Sequence, residues 1–224
     1  MSILYIIGTP IGNLEDITRR ALRILSEVDL ILCEDTRVTK KLLNYYQIKT
    51  PTLSYHQHSR LQKVDYIINL LKEGKYLALV SDAGTPGISD PGNLLINGAI
   101  KQLGDKVKII PIPGTSAVTA AASIFGSSMD KFLFLGFPPA KRKRKKFFEE
   151  IINSKYPVIF YESPYRIFKT LDELGIINKE LRIVVCRELT KKFETVYRGT
   201  IEKVIEELKN DTIKGEFVVI VEKG

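Results

Sequence analysis

The residues best suited to bind a ligand lie in the segment 81–92, which reads SDAGTPGISDPG and follows four apolar residues at 77–80. The segment contains three glycines and two prolines, so it forms neither a regular helix nor a strand. Glycine lets the backbone approach a ligand closely, proline fixes the loop's shape, and free N–H groups bind polar ligand atoms. The alternative is an ordinary strand-to-helix turn, but such turns usually span about two to six residues. The segment therefore predicts a ligand-binding loop.

Two further loops rich in glycine and proline, at 8–13 and 111–115, also come directly after predicted strands. In an open α/β sheet, such loops meet at the carboxyl ends of the strands, where ligands bind. A glycine loop between a strand and a helix also favours a phosphate or carboxylate at the helix N-terminus. Together the three loops predict one shared small-molecule site.

Candidate acid–base groups follow two other predicted strands, with Glu34, Asp35 and Arg37 after the first and His56 and His58 after the second. The two acids stand some twenty residues after the first glycine loop, where a dinucleotide-binding fold keeps a ribose-binding carboxylate. This spacing leaves a nicotinamide-dependent oxidoreductase as an alternative, which predicts NAD binding. The loop argues against it, because GTPIGN lacks the G-x-G-x-x-G fingerprint. The two histidines are equally consistent with exposed loop residues.

The run 141–146, KRKRKK, places six cations side by side. Adjacent like charges repel one another unless an anionic partner lies against them, and nucleic acid is such a partner. The net charge of +8 agrees with an anionic partner. The alternative is a solvated first turn of the helix that carries Phe147 and Phe148. Positive charge at a helix start opposes the helix dipole, which favours the functional interpretation.

Two more strand ends carry charged residues. The segment 161–166 reads YESPYR, in which helix capping explains Ser163 and Pro164 but not Glu162 or Arg166. The segment 187–192 reads RELTKK, and its arginine and glutamate could pair with each other across a domain joint.

Strand and helix signals alternate along the chain and predict an α/β fold. Strands are predicted at 3–7, 29–33, 52–55, 77–80, 107–111, 132–135, 157–161, 181–186 and 216–222, with a hairpin-like pair around 193–199. Helices are predicted at 14–28, 38–47, 61–73, 92–103, 116–124, 142–153, 164–174 and 201–209. Prolines stiffen the segment 111–117, which predicts domains at 1–112 and 113–224.

Composition excludes several classes of protein. Hydrophobic residues make up 44% of the chain and charged residues 27%, which is typical of a folded globular protein. No apolar run approaches the roughly 20 residues of a membrane helix, and the N-terminus lacks the features of a signal peptide. The two cysteines predict reduced buried thiols, and they are too few for a multi-cysteine metal site. We therefore expect a cytoplasmic protein with no membrane segment and no metal.

The motifs above belong to seven longer segments, which read in chain order GTPIGNLEDIT, CEDTR, SYHQHSR, LVSDAGTPGISDPG, IPGTSA, FYESPYR and RELTKKFET. In order and spacing, these segments resemble the ribosomal RNA small subunit methyltransferase I family of the tetrapyrrole methylase superfamily. The resemblance implies S-adenosylmethionine-dependent methylation of the ribose 2′-oxygen of a cytidine in the decoding centre of 16S ribosomal RNA. It also implies a homodimer of two α/β domains, each with a mixed sheet flanked by helices, and with the cofactor in the interdomain cleft.

Members of the family often carry a further C-terminal extension, whereas this sequence ends at Gly224, directly after its last predicted strand. If that extension helps to bind RNA, the run 141–146 is expected to contribute more here. Two alternatives stay open: a methyltransferase that acts on a tetrapyrrole or another small molecule, and a non-catalytic RNA-binding relative. Binding of S-adenosylmethionine separates the enzymes from the binding protein.

The resemblance also implies site residues, by matching motif. The cofactor-binding candidates are Gly8, Pro10, Gly12, Asp82, Gly84, Thr85, Thr115, Ser116, Ala117 and Tyr161, and Gly215, Glu216 and Phe217 are weaker ones. The catalytic candidates are Glu34, Asp35, Arg37 and His56. The RNA-binding candidates are Lys141, Arg142, Lys143, Arg144, Lys145, Lys146 and Arg166.

Overall fold

The computed structural model describes residues 1–56, 61–90 and 92–223. The chain divides into two compact units, Met1–Ser116 and Ala117–Gly224, so the boundary predicted at 112/113 falls shortly before the observed division. His58, the rest of its 57–60 segment and Pro91 of the central loop lie outside the described residues. Within the described residues, no helix is long and apolar enough to cross a membrane.

The first unit is a five-stranded sheet with strand order β3-β2-β4-β1-β5. The strands are β1 (Ser2–Ile7), β2 (Leu30–Cys33), β3 (Thr52–Ser54), β4 (Tyr76–Val80) and β5 (Val107–Ile112), and the helices are α1 (Arg19–Glu27), α2 (Thr36–Tyr45), α3 (Leu61–Lys72) and α4 (Asn93–Leu103). All of its strand pairs are parallel. The expected α/β architecture is confirmed, but the expectation of a mixed sheet was wrong for this unit. Helical crossovers join its successive strands, and such connections produce parallel pairing.

The central strand β4 is buried on both faces, as its four apolar residues predict. Leu77 and Leu79 join the core formed with α3 and α4. Ala78 and Val80 join a second core, formed with α1 and α2 on the opposite face. The loop 81–90 therefore starts from a strand that is buried on both faces.

The second unit is also a five-stranded sheet, with strand order β6-β7-β10-β8-β9. The strands are β6 (Leu133–Phe134), β7 (Val158–Glu162), β8 (Arg182–Arg187), β9 (Thr195–Thr200) and β10 (Phe217–Glu222), and the helices are α5 (Ala117–Ser123), α6 (Arg144–Asn153), α7 (Ile167–Ile177) and α8 (Ile201–Lys209). Only β6 and β7 pair in parallel, so this sheet is mixed. One apolar core packs α6, α7 and α8 against it.

Two predicted helices differ from the observed ones for reasons that the local hydrogen bonds explain. The helix predicted at 14–28 is split into a short 3₁₀ turn, Leu14–Asp16, and α1. Asn13 caps the turn by accepting from the Glu15 N–H, whereas α1 starts at a second cap, in which the Thr18 hydroxyl accepts from the Ala21 N–H. A threonine side chain that binds the backbone in this way competes with helix continuation.

The helix predicted at 164–174 begins instead at Ile167 and continues to Ile177. Ser163 contributes its carbonyl oxygen rather than a side-chain cap, because it accepts from the N–H groups of Arg166 and Ile167 in a preceding turn. Gly175, expected after the helix end, lies inside α7 next to Ile201 of α8. Packing between α7 and α8 overrides the stop signal of this glycine.

Both cysteines are free and buried, as the sequence predicts. Burial raises the pKa of Cys33 and raises that of Cys186 to about 11, so both thiols stay neutral at physiological pH.

Candidate active site

The three glycine- and proline-rich loops meet at the carboxyl ends of β1, β4 and β5, as predicted. The Gly8 N–H donates to the Ile112 carbonyl at 3.1 Å. Thr9 and Gly84 exchange two backbone hydrogen bonds, of 2.9 and 3.1 Å. The Thr85 hydroxyl donates to the Thr115 carbonyl at 3.1 Å. We call this assembly of loops 8–13, 81–90 and 113–116 the loop cradle.

Thr9 holds the loop cradle together, although its importance was not evident from the sequence. Its buried hydroxyl donates towards the carbonyl oxygens of Ser81 and Gly84, at 3.2 and 3.3 Å. Its own carbonyl accepts from the Thr115 hydroxyl. A threonine between a glycine and a proline gives no signal of such a role, because its partners are more than 70 residues away in sequence.

Gly8 and Gly114 approach each other so closely that neither position accepts a side chain. A Cβ atom on Gly114 would lie 2.5 Å from the Gly8 carbonyl oxygen, and one on Gly8 would lie 2.8 Å from the Gly114 Cα. Neither glycine has a left-handed backbone, so the close approach alone requires glycine at both positions. Gly84 differs, because its φ of +76° also favours glycine.

Asp82 connects the loop cradle to the acidic residues after β2. One of its carboxylate oxygens accepts from the Asp35 N–H at 2.9 Å. Asp35 itself caps α2 by accepting from the Arg37 N–H at 2.8 Å, and its carboxylate accepts from the Arg37 Nε and Nη2 at 3.0 and 2.6 Å. These hydrogen bonds lower the pKa of Asp35 to about 2. Asp35 is therefore a permanently charged cap rather than a proton acceptor.

Glu34 differs from Asp35, because its pKa is raised rather than lowered. Its half-buried carboxyl has a raised pKa, mainly because burial removes water and secondarily because the Asp82 charge is near, while His56 opposes the shift. A raised pKa makes a carboxylate a stronger base. Glu34 is thus a stronger base than Asp35.

The cofactor-binding candidates are divided between the two units. Gly8, Pro10, Gly12, Asp82, Gly84, Thr85, Thr115 and Ser116 belong to the first unit, whereas Ala117 is the first residue of α5 and Tyr161 lies on β7. The Tyr161 ring packs against Phe134 and Phe137, with ring centroids 5.0 and 5.3 Å apart. In the described part of the chain, no cluster of three or more metal-binding side chains occurs.

The basic run is not uniformly exposed. Lys141, Arg142, Lys143, Lys145 and Lys146 are exposed, but Arg144 is only 7% exposed. Arg144, one of the six RNA-binding candidates of this run, is therefore buried, unlike the other five. The cause is helix geometry: Arg144 precedes Phe147, Phe148 and Ile151 at helical spacing, so it shares their buried face. That spacing was visible in the sequence.

Arg144 belongs to a buried polar network that the sequence did not predict. Its Nε lies 2.7 Å from a Glu173 carboxylate oxygen, and its Nη2 donates to the Thr170 hydroxyl at 2.7 Å. Thr170 in turn donates to Glu162 at 2.6 Å, and Arg166 pairs with Glu162 at 3.0 Å. Arg144 thus compensates the charge of the half-buried Glu173, and Arg166 that of the buried Glu162. Helix capping did not explain Glu162 in the sequence, and its role is to bind Thr170 and Arg166 in this network.

The segment 187–192 also forms ion pairs, though not those expected. Arg187 pairs with Asp211 at 2.9 Å rather than with Glu188. Glu188 and Glu216 both pair with Lys191, at 2.8 and 3.0 Å. All of these residues lie in the second unit, so the pairs do not cross the domain joint.

Comparisons with known proteins agree with this fold. A family model described as Tetrapyrrole (Corrin/Porphyrin) Methylases matches residues 3–205. Ribosomal RNA small subunit methyltransferase I of Halalkalibacterium halodurans is 47% identical over 98% of this chain and 75% of its own length. The protein of the same name from Mycoplasmopsis pulmonis is 45% identical over 98% of this chain and 97% of its own length.

Among solved structures, diphthine synthase superposes with a TM-score of 0.75 over 99% of this chain and 90% of its own. Its sequence identity is 14%, so this likeness concerns the fold alone. Family membership follows instead from the 45–47% identities over nearly the whole of this chain and from the family model. The chain belongs to the ribosomal RNA small subunit methyltransferase I family, within the S-adenosylmethionine-dependent tetrapyrrole methylases.

Proposed function

We propose that this protein transfers a methyl group from S-adenosylmethionine to the ribose 2′-hydroxyl of a cytidine in the decoding centre of 16S ribosomal RNA. The observation that carries the proposal is the loop cradle, in which Gly8 and Gly114 meet at the carboxyl edge of a parallel sheet. Ligands bind at this edge in open α/β sheets. Family membership supports the class of reaction and the substrate, which its relatives name.

The loop cradle fits S-adenosylmethionine, which when bound supplies an electrophilic methyl group on a sulfonium ion. Its amino acid end needs donors for a carboxylate and an acceptor for an ammonium group, and its adenine needs apolar walls. Backbone atoms of 8–13, 84–85 and 115–117 are the proposed donors, and Asp82 is the proposed acceptor. Tyr161 is a further proposed cofactor contact. A side chain at Gly8 or Gly114 would disturb this surface, which explains the absence of one.

Glu34 is the proposed general base that removes the proton from the attacking 2′-hydroxyl. Its raised pKa supports this role, and the charge of Asp82 contributes to the rise. Asp82 lies at the same strand end, because its carboxylate accepts from the Asp35 N–H. Asp35 and Arg37 then act as positioning residues, because they fix the start of α2 beside Glu34. A positioned general base contributes about 10²–10⁴-fold to a rate. His56 remains a catalytic candidate, because it lies close enough to Glu34 to oppose the rise of its pKa.

The exposed cations of the run 141–146 are the proposed RNA contacts. Lysine and arginine neutralise phosphates and release counterions, which makes binding strongly dependent on salt. Arg144 is omitted from this set, because its guanidinium is already bound to Glu173 and Thr170. Arg166 is 30% exposed at its side chain, so it retains access to a phosphate while paired with Glu162. We further propose that the protein acts in the cytoplasm as a homodimer.

The test is to incubate the protein with methyl-labelled S-adenosylmethionine and two acceptors, unmodified small ribosomal subunits and a porphyrinoid. We expect label in 16S ribosomal RNA and none in the porphyrinoid. The Glu34→Gln variant should bind the cofactor normally but transfer methyl groups at least about 100-fold more slowly. Label in the porphyrinoid alone would contradict the proposal and favour a small-molecule methyltransferase. Cofactor binding without transfer to either acceptor would indicate a different substrate.

A further inference from the structure

The second unit contains an open pocket of about 470 Å³ beside the basic run. Residues of α6, of α7 and of the loop before α6 line it. Its volume is in the range of pockets that hold a ligand as large as a nucleotide. The proposed function assigns no role to this pocket.

One side of the pocket carries exposed apolar residues. Ile176 and Ile177, in the last turn of α7, are 83% and 47% exposed, whereas Phe148 of α6, which also lines the pocket, is a core residue that is 3% exposed. Single exposed apolar residues are common on protein surfaces, but apolar residues that line one cavity together indicate a binding surface. This wall offers contact to a flat apolar ligand group.

The other side of the pocket is basic. Lys141, Lys145 and Lys169 line it together with Arg144 and Glu173. Glu173 pairs with Arg144 at 2.7 Å and with Lys169 at 4.0 Å, and Lys145 pairs at 3.8 Å with Glu149, which does not line the pocket. The lining itself, with four cations and one carboxylate, keeps a positive net charge. The ligand that complements the pocket therefore combines a flat apolar group with negative charge.

The wall between the two sides is rigid. The Arg144 guanidinium stacks over the Phe148 ring at 4.9 Å from its centroid, and Glu173, Thr170 and the Pro139 carbonyl hold it in place. Stacking of a base on aromatic or guanidinium planes is a common way to bind single-stranded nucleic acid. The buried network thus supports a preformed surface rather than one that assembles on binding.

We propose that this pocket is a subsite for one unstacked nucleotide of single-stranded RNA. The base lies against the exposed Ile176 and Ile177, and the flanking phosphates lie against Lys141, Lys145 and Lys169. This inference rests on the proposed function and deepens it, because it identifies a position at which the enzyme holds unpaired rather than helical RNA. Charge complementarity and the apolar wall together select RNA over a free anion or a neutral lipid.

The test uses fluorescence anisotropy with a labelled single-stranded oligoribonucleotide and with the same strand carrying abasic sites. The double variant Ile176→Ser/Ile177→Ser should weaken binding of the normal strand about fivefold, because the base loses its apolar contacts. It should leave binding of the abasic strand unchanged, because no base is present to lose contact. Ile100→Ser, at a 54% exposed isoleucine in the first unit, is the matched control and should change neither affinity.

A charge variant tests the basic side separately. Lys169→Ala should lower the slope of log affinity against log salt by about one, as expected for one lost phosphate contact, whereas Lys101→Ala in the first unit should not. The proposal would be overturned if the isoleucine variant bound the normal strand as tightly as the wild type does. It would also be overturned if the variant lost the same affinity for the normal strand as for the abasic strand. None of these measurements uses S-adenosylmethionine, so a failure of methyl transfer would contradict the proposed function and leave the pocket's role intact.

Discussion

Replacing Gly114 by alanine tests the contact on which the loop cradle depends. The new Cβ would lie 2.5 Å from the Gly8 oxygen and 2.7 Å from the Gly8 carbonyl carbon, both of them backbone atoms with no rotamer to change. To reach an ordinary contact distance of 3.4 Å, the two loops must separate by about 0.9 Å. A misplacement of about 1 Å in groups that position substrates costs up to about 100-fold in rate.

We therefore expect Gly114→Ala to lower cofactor affinity and kcat/KM together, by about 100-fold, because the loops that bind the cofactor also position it. Affinity is measured by calorimetry with S-adenosylmethionine, and turnover by transfer of label to small subunits. Gly175→Ala is the matched control, since its Cβ would make an ordinary 3.4 Å contact with Ile201 and alanine is favoured inside a helix.

Urea unfolding of both variants separates a local displacement from loss of the fold. If Gly114→Ala proves unstable, Gly8→Ala provides the same test, with a less severe contact of 2.8 Å. Wild-type cofactor affinity in folded Gly114→Ala would refute the assignment of the loop cradle as the cofactor site.

Three further predictions concern other residues. Activity of the wild type should fall as the pH decreases through a value above 4.5, because Glu34 has a raised pKa and its protonated form cannot accept a proton. A pH–rate profile of Glu34→Gln should lack this loss of activity at low pH. Arg144→Ala should lower the free energy of unfolding by about 3 kcal/mol, since it leaves buried partners uncompensated, while exposed Arg142→Ala should stay within about 0.5 kcal/mol in urea titrations. Gly215→Ala should also destabilise the fold in urea, because its φ is +95° and its Cβ would lie 2.3 Å from the Glu188 carboxyl carbon.

The sequence predicts most of the strands and the loops that follow them, because local signals define both. A short apolar run followed by glycine and proline predicts a strand end regardless of the partners of that strand. Parallel strands then bring such loops together by topology alone. The contact between Gly8 and Gly114 could not be predicted, because it depends on how β1 and β5 pair across 106 residues of chain.

Charged residues were harder to assign than glycines. Six adjacent cations look alike in sequence, and only the helical phase relative to Phe147 and Phe148 separates Arg144 from its neighbours. Glu34 and Asp35 are also adjacent and chemically similar, but Arg37 lowers the pKa of one while burial raises that of the other. The Asp35–Arg37 bonds are local, but the burial of Glu34 and the nearby Asp82 charge are tertiary, so sequence alone indicates a reactive cluster without the role of each member.

The most direct measurement of the central claim is the identity of the methylated nucleoside. Small subunits that carry label from S-adenosylmethionine are digested to nucleosides, which are separated and identified by mass spectrometry. We predict a single labelled product, 2′-O-methylcytidine, with the label on the ribose, and strongly reduced labelling in Gly114→Ala. A label on a base rather than a ribose, or full labelling by Gly114→Ala, would contradict the assignment.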